Sequence, residues 1–167
     1  MLSKRTIVNL LLLAIVTALT IYVNKNPVED HKELEVTKLT SDQVDTIVIQ
    51  RADETQIILE KSDQDWLITS PIEGKVSSDK LNLLLKFLTL KSRHQHIITE
   101  QKQLNRYELF EPKVTLFIND EQFDFGNTNG FNHLRYVLHD NVVHSVKDIT
   151  HHLLIMDVES FVVEDPE

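Results

Sequence analysis

Residues 45–69 read DTIVIQRADETQIILEKSDQDWLIT. Two runs rich in β-branched residues, Asp45–Arg51 and Thr55–Lys61, flank the turn residues Ala52-Asp53-Glu54. A second polar turn, Ser62–Asp65, leads to a third run, Trp66–Thr69. Short apolar runs punctuated by polar turns predict an antiparallel meander. Ile47-Val48-Ile49 and Ile57-Ile58-Leu59 are continuously apolar, so both faces of these strands are expected to be partly covered.

Moving toward the C-terminus, Pro71 ends the third strand and biases Ser70 to an extended conformation. Ser77 or Ser78 then caps a helix, with Asp79 in its first turn. Leu81, Leu84, Leu85 and Leu88 fall at i, i+3, i+4 and i+7, which makes one apolar stripe. Leu83, Phe87 and Leu90 widen it, so that side is expected to serve as core or as a surface for a partner. His94–Thr99 is predicted as a short strand and Glu100–Asn105 as a helical turn. Lys113–Ile118 and Glu121–Phe125 form a hairpin across Asn119-Asp120, followed by a loop over Gly126–His133. Leu134–His139 and Val142–Ser145 pair across Asp140-Asn141, two residues that tolerate the positive φ of a type I′ turn. Lys147–Met156 reads as a second helix, and Phe161-Val162-Val163 as a closing strand. The order strands-then-helix thus occurs twice. The fold class is α+β: antiparallel meander strands with two helices, compatible with two similar β-β-β-α halves sharing one core.

Toward the N-terminus, residues 26–43 are polar, and Pro27 opposes continuation of any preceding helix. Before them stands IVNLLLLAIVTALTIYV, Ile7–Val23, without a charge and flanked by Lys4, Arg5 and Lys25. Seventeen helical residues span about 26 Å, a short crossing of a hydrocarbon core about 30 Å thick. The exit TIYVNKNP offers no small-x-small cleavage site, so the segment is read as a retained anchor, with a cleaved signal and a buried core helix as the alternatives. The basic residues at its start, opposed only by Lys25, are expected to hold the N-terminus in the cytoplasm and send the rest of the chain outward, which in a Gram-negative cell means an inner-membrane anchor and a periplasmic domain. The organisation expected is an anchor at 1–25, a polar tether at 26–43 in which Leu34, Val36 and Leu39 are able to start the first strand, an extracytoplasmic domain at 44–160 and a terminal strand or tail at 161–167.

Beyond Lys25 the chain carries 14 Lys and Arg against 26 Asp and Glu, a net of −12. Such a surface is repelled by nucleic acid and excludes it as a partner. There is no cysteine, which removes thiol nucleophiles and Cys-ligated metals. No glycine-rich phosphate loop, G-x-S-x-G or H-E-x-x-H occurs. His94 and His96 share one side of their strand, and His139 and His144 lie diagonally on one face of their hairpin, with His133 or Asp124 as a conceivable third ligand. His151-His152 point in two directions, Asp63 and Asp65 sit in a hairpin turn, and Asp124 points away from whatever Phe123 and Phe125 bury. No cofactor, metal or catalytic residue is assigned. Trp66 is expected to pack on the Leu81/Leu85 helix face, and Tyr107, Leu109, Phe110 and Pro112 to form a second apolar plug.

Several of these pieces together resemble the DUF4340 family, membrane-anchored bacterial proteins of unestablished function. Trp66 and Pro71 match its W-x-[LIV]-x-x-P anchor; Tyr107, Leu109 and Pro112 match its Y-G-L-x-x-P anchor. Gly126 matches the glycine after a hairpin strand, and Tyr136-Val137 a Y-V pair. Glu108 stands where the family has glycine, so that turn is expected to be built differently. The resemblance implies a short, single-copy member and supplies no catalytic residues. The function expected is therefore contact: a non-catalytic, membrane-anchored envelope protein that assembles or assists membrane or envelope protein partners. The alternatives are an envelope ligand-binding module, with a cavity between the sheet and the first helix and Trp66, Tyr107 and Tyr136 around it, and a hydrolytic or metal-dependent enzyme.

Overall fold

A computed structural model describes residues 3–25, 34–63 and 65–163. The chain divides into two compact units, Met1–Lys32 and Glu33–Glu167. In the first, α1 spans Lys4–Lys25, about 33 Å at 1.5 Å per residue. Its stretch Lys4–Tyr22 is long and apolar enough to cross a membrane. Polar residues inside it are satisfied locally: Thr17 Oγ1 donates to Leu13 O at 2.7 Å and Thr20 Oγ1 to Val16 O at 2.9 Å. In lipid no other acceptor would be at hand.

The second unit contains β1 (Leu34–Glu35), β2 (Thr46–Arg51), β3 (Gln56–Ser62), β4 (Asp65–Ser70), β5 (Gly74–Lys75), α2 (Ser78–Leu85), β6 (Lys91–Ser92), β7 (His94–Ile97), β8 (Val114–Ile118), β9 (Glu121–Thr128), β10 (Leu134–His139), β11 (Val142–Lys147) and α3 (His151–Leu154). Nine strands form one antiparallel sheet in the order β5-β4-β3-β2-β8-β9-β10-β11-β7, and β1 pairs with β6 apart from it. Two four-strand meanders, each followed by a helix, therefore meet through their first strands. Ile47 faces Ile118 and Ile49 faces Leu116 across that seam. Each predicted hairpin is present, and Asp140 and Asn141 both take the positive φ that the tight turn needs, 47° and 61°.

One sheet face carries the main core: Ile47, Ile49, Ile57, Leu59, Leu116, Phe123 and Val137. Val48 and Ile58, on the other face, are only half-buried, so the continuous apolar runs resolve into one buried and one partly covered side. The core is closed by Leu84, Phe87 and Leu88, by Leu153, Leu154 and Phe161, and by Val36 and Val44. Trp66, Leu81 and Leu85 pack against it partly buried. Phe87 meets Phe123 edge-on at 4.8 Å and Phe125 at 5.5 Å. A smaller cluster, Leu104, Leu109 and Val143 with Tyr107 and Tyr136, lies under the 3-10 segment Gln101–Tyr107. Arg51 ties the seam to α3, donating from Nε to Leu154 O at 2.9 Å and from Nη2 to Met156 O. Leu154 O ends α3 and has no intrahelical donor, and Met156 O lies two residues beyond it.

The structure departs from the sequence reading in several places. Of the stretch expected mostly as tether, residues 26–33 lie outside the described residues, while 34–43, where Leu34, Val36 and Leu39 are able to start the first strand, belong to the compact unit: Leu34 and Glu35 pair with Ser92 and Lys91, and Val36 is buried. Ser77 occupies the cap position of α2, but its hydroxyl makes no capping bond. After Leu85 the helix tightens into a 3-10 turn, Lys86–Thr89. At three residues per turn, Leu84, Phe87 and Leu90 share one face, and all three are buried. The partner surface expected from Leu83, Phe87 and Leu90 is thus reduced to Leu83. Strand β9 continues through Thr128 into the region read as a loop, and β11 runs on to Lys147. The second helix is accordingly only His151–Leu154 rather than Lys147–Met156. The closing strand is a 3-10 turn, Val158–Phe161, with a single bridge from Val162 to Val76; residues 164–167 lie outside the described residues. Glu108 adopts the left-handed conformation itself, with φ 55° and ψ 39°, so the turn expected to differ keeps the shape a glycine would take.

Candidate functional site

The hairpin turn at Asp140-Asn141 sets the register Val137↔His144 and His139↔Val142, which puts His139 and His144 on one face as expected. Strand β7 joins β11 with Gln95 opposite His144 and His96 opposite Val143. That register divides the histidines. Gln95 shares the face of His144, whereas His96 lies on the opposite face, 6.2 Å from the Tyr107 ring. His133 is exposed in the β9–β10 loop. Among the described residues, no group of three or more His, Asp or Glu is placed to hold a metal ion.

His139, His144 and His151 instead have structural partners. His139 stacks on Phe123 with centroids 4.4 Å apart, and its Nδ1 donates to Gln122 O at 3.0 Å. Its Nε2 faces Glu121 at 3.3 Å and Asp140 at 3.5 Å. Glu121 also accepts a 2.5 Å bond from Thr37 Oγ1, so this carboxylate fastens the segment after β1 to the β8–β9 hairpin. His144, only 4% exposed, lies 3.3 Å from Gln95 Nε2 through its Nδ1. Burial first, and then the neighbouring His139, push its pKa down to about 4. His151 is also lowered, by burial and then by Arg135. It turns toward Phe125, 6.3 Å away, while His152 is exposed.

The depressed His144 value has a sign that can be measured. In the unfolded chain this imidazole takes a proton near pH 6.5, while in the folded protein it stays neutral to about pH 4. Between those values the unfolded state binds more protons, so stability falls as pH falls, by roughly 3 kcal/mol at most. Above the upper value the contribution is fully present. Replacing His144 with Gln should flatten the stability–pH curve in this window. An identical slope in wild type and His144→Gln would refute the assignment.

The carboxylates show the same pattern. Asp124 is buried on the face opposite Phe123 and Phe125, accepting from Thr115 Oγ1 at 2.7 Å and from Gln122 Nε2 at 3.0 Å. Asp65 pairs with Lys75 at 2.8 Å, and Asp63 occupies a positive-φ turn position. Arg135 bonds Gly126 O and pairs with Asp148 at 2.8 Å. These groups hold loops and strand ends.

Of the three aromatics expected around a cavity, two converge. Tyr107 and Tyr136 meet edge-on at 4.7 Å, with Asn129 Nδ2 donating to Tyr136 Oη at 2.9 Å. Beside them, between His96 and Asn129, is a hollow of about 250 Å³. That is below the 300 Å³ or so of the smallest ordinary ligand sites. Trp66 lies in the other meander, on β4. The Thr37–Glu121 bond and the Arg51 cap were invisible to sequence reasoning, because each joins residues far apart in the chain. No family model matches the chain, and no similar curated protein or solved structure was found.

Proposed function

We propose that this chain is a membrane-anchored contact protein, akin to short DUF4340 members, whose edge strand β7 accepts an extended segment of an envelope protein by strand addition. The anchor would sit in the inner membrane with its N-terminus in the cytoplasm and the compact unit in the periplasm. What supports this reading is an asymmetry between the two sheet edges. At one end, β5 is two residues long and carries Lys75, the usual protection against pairing. At the other, β7 has four residues, all exposed, with no proline and no lysine, and Ile97 is 70% exposed. Ile98 N donates to Asn141 O at 2.8 Å. By the alternation of antiparallel bonds, Gln95 and Ile97 then turn their backbone groups away from β11. An arriving strand would bond to these groups, and the Ile97 side chain would supply apolar contact.

A photo-crosslinking residue placed at position 97 of the full chain, in intact cells, tests this. The expected product is a cross-link into an extended segment of an envelope protein. It should be lost in Gln95→Pro, which removes an outward N–H and leaves the β11 ladder intact. Cross-links only to lipid, or to a cytoplasmic protein, would overturn the contact or the orientation respectively.

A further inference from the structure

A groove of about 730 Å³ runs between residues 35–41 and the helical segment from Asn82 to Thr89. Its floor is apolar, from Leu39, Leu85 and Leu88, and Lys38, Lys86 and Lys91 stand around it. All three lysines are exposed, and none forms an ion pair with a described residue. Glu35, opposite Lys91 in the β1–β6 register, is the single carboxylate in the lining. Three lysines against one glutamate give this face a net charge of +2, in a chain that is −12 beyond Lys25. The local sign is the reverse of the domain's.

We infer that this groove docks on anionic phospholipid of the anchoring bilayer, its lysines taking headgroup phosphate and its leucines the adjoining apolar part of the lipid. Two observations favour lipid over an acidic protein. The lining pairs an apolar floor with a cationic rim, which is the amphipathic pattern of a lipid at the interface. The groove wall also begins at Glu35, and only nine peptide links separate Leu34 from Lys25 at the end of α1. At 3.5 Å or so per residue that chain reaches about 32 Å at most, so headgroups are present at high effective concentration. An acidic domain on a short tether is repelled by an anionic leaflet everywhere except at a basic face. The groove would thus fix which side of the domain turns to the membrane, leaving other surfaces to partners.

The test uses the full chain in nanodiscs of phosphatidylcholine, with or without phosphatidylglycerol. An amine-reactive label read by mass spectrometry gives the modification rate of each lysine. Lys38, Lys86 and Lys91 should label several-fold more slowly in the anionic discs, with Lys113 unchanged. Glycerol phosphate added to the neutral discs should give no protection. The double variant Lys86→Glu/Lys91→Glu, altering two exposed side chains, should restore labelling of Lys38 in the anionic discs. Equal rates in both lipids, uniform slowing of every lysine, protection by glycerol phosphate, or a Lys38 still protected in the variant would each overturn the inference.

Discussion

Leu84→Asp should abolish cooperative melting of the compact unit. Leu84 is 0% exposed, and it shares the inner face of the helical segment with Phe87 and Leu88. Truncating a buried leucine costs about 2–5 kcal/mol by lost burial and cavity formation. A carboxylate in the same place adds a desolvation cost of several kcal/mol, since no cation is paired there among the described residues. The sum reaches the 5–15 kcal/mol or so that holds a domain of this size together. Leu83→Asp is the matched control: Leu83 is 37% exposed, and its replacement should cost within about 1 kcal/mol. Trp66, the single tryptophan, is half-buried against the core and reports the transition by fluorescence without interference from α1. A Leu84→Asp protein that melts at the wild-type temperature would show that α2 does not close the core.

What was legible in the sequence was local. The meander strands and the Asp140-Asn141 turn could be read because alternation and turn chemistry act over a few residues. The turn then fixed the His139 and His144 register. Where the chain folds back over long distances, local alternation and turn residues carry no such information. Nothing in HQHI says that β7 crosses to the far edge beside β11, and that placement is what separates His96 from His144. At the α-helical period of 3.6, Phe87 and Leu90 fall at the margin of the α2 stripe. The switch to a 3-10 turn at Lys86 brings them under Leu84 instead. Lys147–Met156 has a helical apolar spacing, but the full-length pairing of β10 with β11, ending at Leu134↔Lys147, claims its first residue for the sheet. In each case a tertiary pairing overrode a weak local preference. In residues 34–43 the apolar positions Leu34, Val36 and Leu39 already allowed a strand to start, whereas the bond of the buried Thr37 hydroxyl to Glu121, which helps recruit the segment into the fold, joins residues too far apart to be read.

Gly126→Ala should be the most damaging change that adds only a methyl group. A Cβ built on Gly126 would lie 2.1 Å from Tyr107 O and 2.8 Å from Leu109 Cγ. The first of these is a backbone atom and cannot swing aside. The strand offers no slack either. Arg135 pairs with Thr128 but Val137 with Phe125, so Gly126 and Asn127 form a bulge opposite Tyr136. Arg135 further clamps Gly126 O. Relief would require the Tyr107–Leu109 turn to lift, uncovering Leu109 and the Tyr107–Tyr136 contact. The expected cost is about 3 kcal/mol or more, at the upper end for overpacking. Gly130→Ala supplies the contrast. No atom lies within 4 Å of its virtual Cβ and its φ is not positive, so alanine there should be neutral or stabilise by up to about 1 kcal/mol. The glycine that the Tyr107–Pro112 segment requires is therefore across the sheet, at Gly126, while Glu108 shows that the turn itself can be made without one. Denaturant melts of both alanine variants decide the point: equal midpoints would mean that the Tyr107 carbonyl does not rest on the bulge.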